Sequence, residues 1–145
     1  MRGFMNTTLH FQLLAAHTYF KRVFLKRLQT VYPDILPGQP KIINFLMYQN
    51  KAYQKEIADA CLIEPPTLSL ILEKMERVGL ISRQKSIFNN KNIVVQLTEK
   101  GEDIGRTAQQ IFLETERDFC KNLSAEESTL LPKLLQKICD AGKDL

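Results

Sequence analysis

The stretch "EPPTLSLILEKMERVGLISRQKSIFNNKNIVVQLTEKG", residues 64–101, packs a helix, a hairpin and the start of another helix into one short run. It opens on Pro65 and Pro66, whose missing N–H groups have no partner to lose in the first turn of a helix. Leu68, Ile71, Leu72, Met75 and Val78 follow at i, i+3, i+4, i+7 and i+10, which puts one apolar stripe on a helix over residues 66–78. Gly79 stands where a left-handed cap ends such a helix. The period then changes. Leu80 to Lys85 reads as a strand, and Ile93, Val95 and Leu97 alternate with Val94 and Gln96 on a second. Asn89 and Asn90 tolerate positive φ and suit the turn between them. Thr98 is the expected N-cap of the next helix, with Glu99, Glu102 and Asp103 placed favourably against its dipole.

Upstream, "YQKEIADACLI" (residues 53–63) reads as a brief helix with Ile57, Ala58 and either Cys61 or Leu62 facing inward. Two short helices with a tight link, the second amphipathic, make a helix-turn-helix candidate. A helix starting near Gly38–Pro40 precedes them, with Ile42, Ile43, Phe45, Leu46 and Met47 as its apolar face; Asn50, Lys51 and Ala52 read as a link. The first long helix runs from Leu9 to Val31 on Leu13, Ala16, Phe20, Val23, Phe24 and Leu28, and Tyr32-Pro33-Asp34 stops it. Downstream, a helix over residues 99–122 carries Ile104, Ala108, Ile111, Phe112, Thr115 and Phe119 on one face. Ser124 to Glu127 is a capping box that starts a last helix on Leu130, Leu131, Leu134, Leu135 and Ile138. Pro132 lies inside it, and an interior proline costs about 3 kcal/mol, so a kink or break is expected near residues 129–131.

The chain has 145 residues, 44% hydrophobic and 25% charged, which fits one domain with a real core. No apolar run approaches the roughly 20 residues of a membrane span. Met1 to Thr8 lacks a signal-peptide core, and a cytoplasmic location is expected. Charge is graded. Residues 1–50 carry six Lys/Arg against one Asp, residues 51–100 eight against six acids, and residues 101–145 six against nine. A basic face and an acidic end are expected, and basic surface favours nucleic acid. Cys61, Cys120 and Cys139 form no C-x-x-C pair, and His10 and His17 are the only histidines, so neither a disulfide framework nor a metal site is expected. The sequence holds no P-loop, no G-x-G-x-x-G and no Ser–His–Asp order, which argues against an enzyme and against a bound cofactor.

The order helix, helix-turn-helix, hairpin, long helix is that of a winged helix with helical extensions at both ends. Over residues 9 to 140 the chain resembles the MarR family of bacterial transcription regulators. Gln39, "KEIADAC", "PPTLSLILEKMERVGLISR" and "VVQLTEKG" carry the resemblance. The expected fold is mainly α with a small β-hairpin wing. It forms a single domain, with residues 38–97 as the DNA-binding lobe and residues 9–31 and 99–142 as dimerisation helices. The resemblance implies a homodimer on palindromic double-stranded DNA, acting as a repressor and responding to a small aromatic or lipophilic effector or to an oxidant. The alternative is a winged-helix interaction dimer that has lost DNA binding.

Projection at 100° per residue puts Pro66, Ser69, Leu70, Glu73 and Arg77 opposite the apolar stripe of the helix over residues 66–78, with Thr67 and Lys74 flanking. Thr67 and Ser69 are expected at phosphates or base edges, Leu70 against a thymine methyl, and Lys74 and Arg77 on phosphates. Leu70 stands where the family often has arginine. On the wing the expected cations are Arg83, Lys85 and Lys91. Asn89, Asn90 and Lys91 replace the Asp-x-Arg that the family usually carries at its tip, and lysine lacks the planar fork of arginine. A less ordered wing with weaker minor-groove reading is therefore expected. The family's effector pocket maps to His17, Phe20, Phe24, Phe45, Tyr48, Ile111 and Phe112, residues that core packing explains equally without a ligand. The family's peroxide sensors have a cysteine on the first helix, and this chain has none there.

Overall fold

The computed structural model describes residues 7–89 and 91–145. Six helices and three strands follow one another as α1 (Leu9–Val31), α2 (Gln39–Gln49), β1 (Lys51–Tyr53), α3 (Gln54–Cys61), α4 (Pro65–Arg77), β2 (Ile81–Lys85), β3 (Ile93–Leu97), α5 (Glu99–Phe119) and α6 (Ala125–Asp144). The expected mainly α winged helix is the architecture found.

The helix ends are set by local chemistry. Thr8 caps α1 by accepting from Phe11 N. Pro65 stands at the start of α4, and Gly79 just beyond its end takes a φ of +80°. Thr98 caps α5 by accepting from Gly101 N at 3.1 Å. Ser124 and Glu127 form the capping box of α6, each side chain accepting from the other's backbone N–H.

The core sits where α1, α2, α3, α4 and α5 meet the small sheet. Leu28, Ile42, Ile43, Leu46, Ile57, Leu68, Leu72, Met75, Leu80 and Val95 are fully buried. Burying each such side chain stabilises the fold by roughly 1.5–3 kcal/mol before entropy is charged against it. Gln39 is buried among them; its Oε1 accepts from Leu36 N at 3.1 Å, and its own N–H donates to Leu36 O, which closes the turn into α2.

The hairpin of β2 and β3 is joined on its free side by β1, giving an antiparallel sheet in the order β1-β3-β2. Ala52 of β1 and Arg83 of β2 both lie opposite Val95. Residues 51–52, expected as part of a link, are therefore a strand. Three residues cannot show a period of two; the free edge of β3 makes them a strand.

Four other expectations need correction. Val78 is 45% exposed, because α4 ends at Arg77 and Val78 is its C-cap, outside the helical stripe. The long helix α5 stops at Phe119, and Leu123 N donates to Cys120 O in the turn that follows. Of the kink or break expected near Pro132, the break does not occur: α6 is continuous from Ala125 to Asp144. Pro132 is on the exposed surface, so the ring meets water and the carbonyl it cannot serve can be hydrated. Asn89 does not use positive φ. Its side chain accepts from Lys91 N at 3.0 Å instead, making an Asx turn. Asn90 lies outside the described residues.

Candidate functional site

Helix α4 buries Leu68, Leu72 and Met75 and leaves its other side open. Pro66, Thr67, Ser69, Leu70, Lys74 and Arg77 are all exposed, Leu70 by 62%. The residues expected opposite the stripe do share one surface. Their hydrogen-bonding freedom differs. Ser69 Oγ accepts from Gln54 Nε2 at 3.4 Å, so the first turn of α3 touches this face. Gln54 was not among the expected residues; its Oε1 is buried and has no partner. Arg77 pairs with Glu73 one turn back at 3.2 Å. Glu73 therefore shares an exposed ion pair with Arg77 rather than standing alone on the surface.

On the wing, Arg83 is half-buried and pairs with Glu76 of α4 at 3.2 Å, which fixes the root of the hairpin against that helix. Lys74, Lys85 and Lys91 are exposed and make no ion pair among the described residues. Exposed unpaired ammonium groups keep their full field for an external anion.

The end of α4 is bolted to the start of α5. Thr98 Oγ1 donates to Gly79 O at 2.6 Å, Thr98 N donates to Leu80 O at 3.0 Å, and Lys100 Nζ donates to Val78 O at 2.8 Å. Gly101 lies so close to the Leu80 carbonyl that a Cβ there would overlap it. This is what the abrupt change from strand to helix at residues 97–101 achieves.

A cavity of about 470 Å³ lies between α1, α2 and α5. Each helix contributes one stripe: His17, Phe20, Lys21 and Phe24 from α1, Lys41, Asn44 and Tyr48 from α2, and Gly105, Ala108, Gln109 and Phe112 from α5. Pro37 and Gly38, just before α2, and Pro40 in its first turn also line it. Phe20 and Phe112 meet edge to face with centroids 5.1 Å apart, and Phe24 and Phe112 do so at 5.6 Å. Five of the seven residues expected at an effector pocket, His17, Phe20, Phe24, Tyr48 and Phe112, line it. Phe45 and Ile111 do not; they pack half-buried against the core. The polar groups Lys21, Lys41, Asn44 and Gln109 were not anticipated. The spacing i, i+3, i+4, i+7 from His17 contains Lys21, so a helical projection of α1 held that signal.

Cys61 is buried, and its Sγ donates to Lys41 O at 3.7 Å. Burial pushes its pKa up, and the nearby Lys41 only partly opposes this, so its thiol is a poor source of thiolate. Among the described residues no cluster of three or more His, Cys, Asp or Glu is arranged to hold a metal ion. No helix there is long and apolar enough to cross a membrane.

The family model described as "MarR family" matches residues 37–93. Among solved structures, the transcriptional repressor CouR bound to a 23-mer DNA duplex superposes with a TM-score of 0.84 at 23% identity, covering 96% of this chain and 97% of that one. A mutant MarR from E. coli complexed with operator DNA gives 0.82 at 21% identity, covering 90% and 92%. The organohalide-sensing regulator RdhR in its 2,4-dichlorophenol-bound form gives 0.80 at 22% identity, covering 92% and 78%. At these identities the structures speak to the fold, and the family model to the segment from α2 to the start of β3. Residues 37–93 match the MarR family model, and they lie within a winged-helix fold.

Proposed function

We propose that this chain is a DNA-binding transcriptional regulator. It acts as a homodimeric repressor on palindromic double-stranded DNA in the bacterial cytoplasm, and a small aromatic or lipophilic effector modulates it. The observation that carries this reading is the open face of α4 beside a wing rich in cations. Thr67, Ser69 and Leu70 present short polar and apolar groups of the size that reads base edges in a major groove. Lys74, Arg77, Lys85 and Lys91 surround them and suit phosphates. Arg83 holds the wing against α4 and has a smaller share in direct contact. That CouR and MarR were solved on DNA supports the same use of this surface.

The cavity supports the effector reading. Its aromatic walls favour a flat apolar ligand, and Lys21 and Lys41 favour a carboxylate or phenolate on it. The dichlorophenol-bound RdhR is a phenolic precedent in the same fold. Coupling runs through α5, which lines the cavity with Gly105 to Phe112 and is latched to α4 by Thr98 and Lys100. A ligand that binds better to one placement of α5 shifts the population of α4 placements by that difference in affinity.

Fluorescence anisotropy on a duplex selected from a random-sequence pool tests the proposal. Binding should be saturable and fall steeply with salt, because each phosphate contact releases a counterion. Lys91→Ala should weaken all duplexes alike, whereas Ser69→Ala and Leu70→Ala should change sequence preference. A second reading, an interaction module that has lost DNA binding, is favoured by exposed Leu70 and by the apolar wing tip. A protein that dimerises but selects no duplex from the pool would decide for it.

A further inference from the structure

We propose that the wing tip is an apolar wedge. In it Phe88, backed by Ile87, enters the minor groove and opens a base step, so that the bound duplex is bent. This rests on the DNA-binding reading above and adds a mode of recognition that the cations of the wing do not supply.

Ile87 and Phe88 are 90% and 87% exposed, although Ile81, Val95 and Leu97 of the same hairpin are buried. The exposure is built in. Ser86 is buried at the end of β2, its N–H donates to Asn92 O at 2.8 Å, and its Oγ accepts from Phe88 N at 3.2 Å. On the return side Asn89 accepts from Lys91 N through its side chain and from Asn92 N through its carbonyl. Short polar side chains thus hold the backbone on both sides of the tip, while its two large apolar groups remain outside.

The charge around the tip indicates its partner. No acidic residue lies between Glu76 and Glu99, and Lys85 and Lys91 bracket the apolar pair without ion-pair partners among the described residues. Apolar centre and cationic flanks match a minor groove, whose phosphates run along both rims while base edges form the floor. Apolar side chains driven into a step from that groove unstack it and kink the duplex. An anionic lipid surface would also meet cations and apolar groups. The Arg83–Glu76 pair favours the duplex, because it makes the wing one body with α4.

The test uses the full-length protein and a duplex selected from a random pool, with 2-aminopurine placed at each step in turn and end-labelled copies for energy transfer. Wild type should raise 2-aminopurine fluorescence at one step beneath each wing and shorten the end-to-end distance. That step should be a flexible pyrimidine–purine step. Phe88→Ala should abolish both signals and weaken binding about tenfold, as truncating a base-stacking aromatic does. Phe88→Leu should keep the bend, and Lys91→Ala should weaken binding while keeping it. Thermal melting of Phe88→Ala should match wild type, since the side chain is outside the core. Wild type that binds the duplex without unstacking it, or Phe88→Ala that bends it equally, overturns the wedge and leaves the DNA-binding reading intact. Wild type that binds no duplex overturns both. Phe88-dependent pelleting with phosphatidylglycerol vesicles, without any 2-aminopurine signal, assigns the tip to a membrane surface and overturns the wedge.

Discussion

Thr98 Oγ1 makes two hydrogen bonds at once, donating to Gly79 O at 2.6 Å and accepting from Gly101 N at 3.1 Å. One hydroxyl therefore caps α5 and ties down the end of α4. Thr98→Val keeps the volume and loses both bonds, and should destabilise the fold by about 1–2 kcal/mol. Thr98→Ser should recover most of this. Urea unfolding followed by circular dichroism measures the difference; if Thr98→Val is as stable as wild type, the latch is not holding the two helices.

Close approach of helices rests on Gly105. A Cβ added there would lie 2.6 Å from Met47 Sδ and 3.1 Å from Ile43 Cγ2, so these two side chains of α2 pack directly on the α5 backbone. Gly105→Val should cost about 1–3 kcal/mol, as overpacking does, and should narrow the cavity that Gly105 helps to line. Gly142 has nothing within 4 Å of the same position and sits inside α6. Gly142→Ala should stabilise by roughly 0.5–1 kcal/mol or, where the helix end frays, change nothing. In thermal melts Gly105→Val should lower the midpoint and Gly142→Ala should not, and a Gly105→Val protein that melts like wild type would refute this reading.

Leu62 ends α3 with φ +55° and ψ +46° and is 90% exposed. A branched residue in the left-handed region is strained by about 1–2 kcal/mol. With almost no contacts to lose, Leu62→Asn should recover up to about 1 kcal/mol of that strain. The denaturant midpoint should rise with an unchanged slope. A lower midpoint would mean that Leu62 does more for the turn between α3 and α4 than fill space.

What could be read in the sequence followed the range of the physics involved. Leu68, Leu72 and Met75 were legible because a helix of thirteen residues repeats its period several times. Thr98, Ser124 and Gly79 were legible because a cap needs only its own few neighbours. Val78 was misread because the stripe continues arithmetically past the point where the helix stops. Strand β1 was invisible because its hydrogen bonds go to β3, more than forty residues away. The cavity was half legible. His17, Phe20 and Phe24 stand on one stripe of α1, whereas the rotation of α2 and α5 about their axes, which turns Phe45 and Ile111 toward the core, is set by tertiary packing. Lys21, Lys41 and Gln109 were missed for the same reason.

Helix α6 runs for 20 residues and buries none of them, although Leu130, Leu131, Leu134 and Ile138 lie along it. In proteins most helical stability comes from packing an amphipathic face rather than from intrinsic propensity. An exposed aliphatic stripe of this kind marks an interaction surface, and a second copy of the chain is the occupant that the proposed palindromic site requires. Light scattering should therefore give twice the chain mass at micromolar concentration. Leu134→Glu, which would place a carboxylate in the middle of the stripe, should give a single-chain mass and lower helicity. Its salt-dependent binding should fall to that of one recognition helix, because the second half-site is no longer held at high local concentration. Wild type at the mass of one chain across that range would show that α6 is stable alone, and the two-fold arrangement on DNA would have to be abandoned.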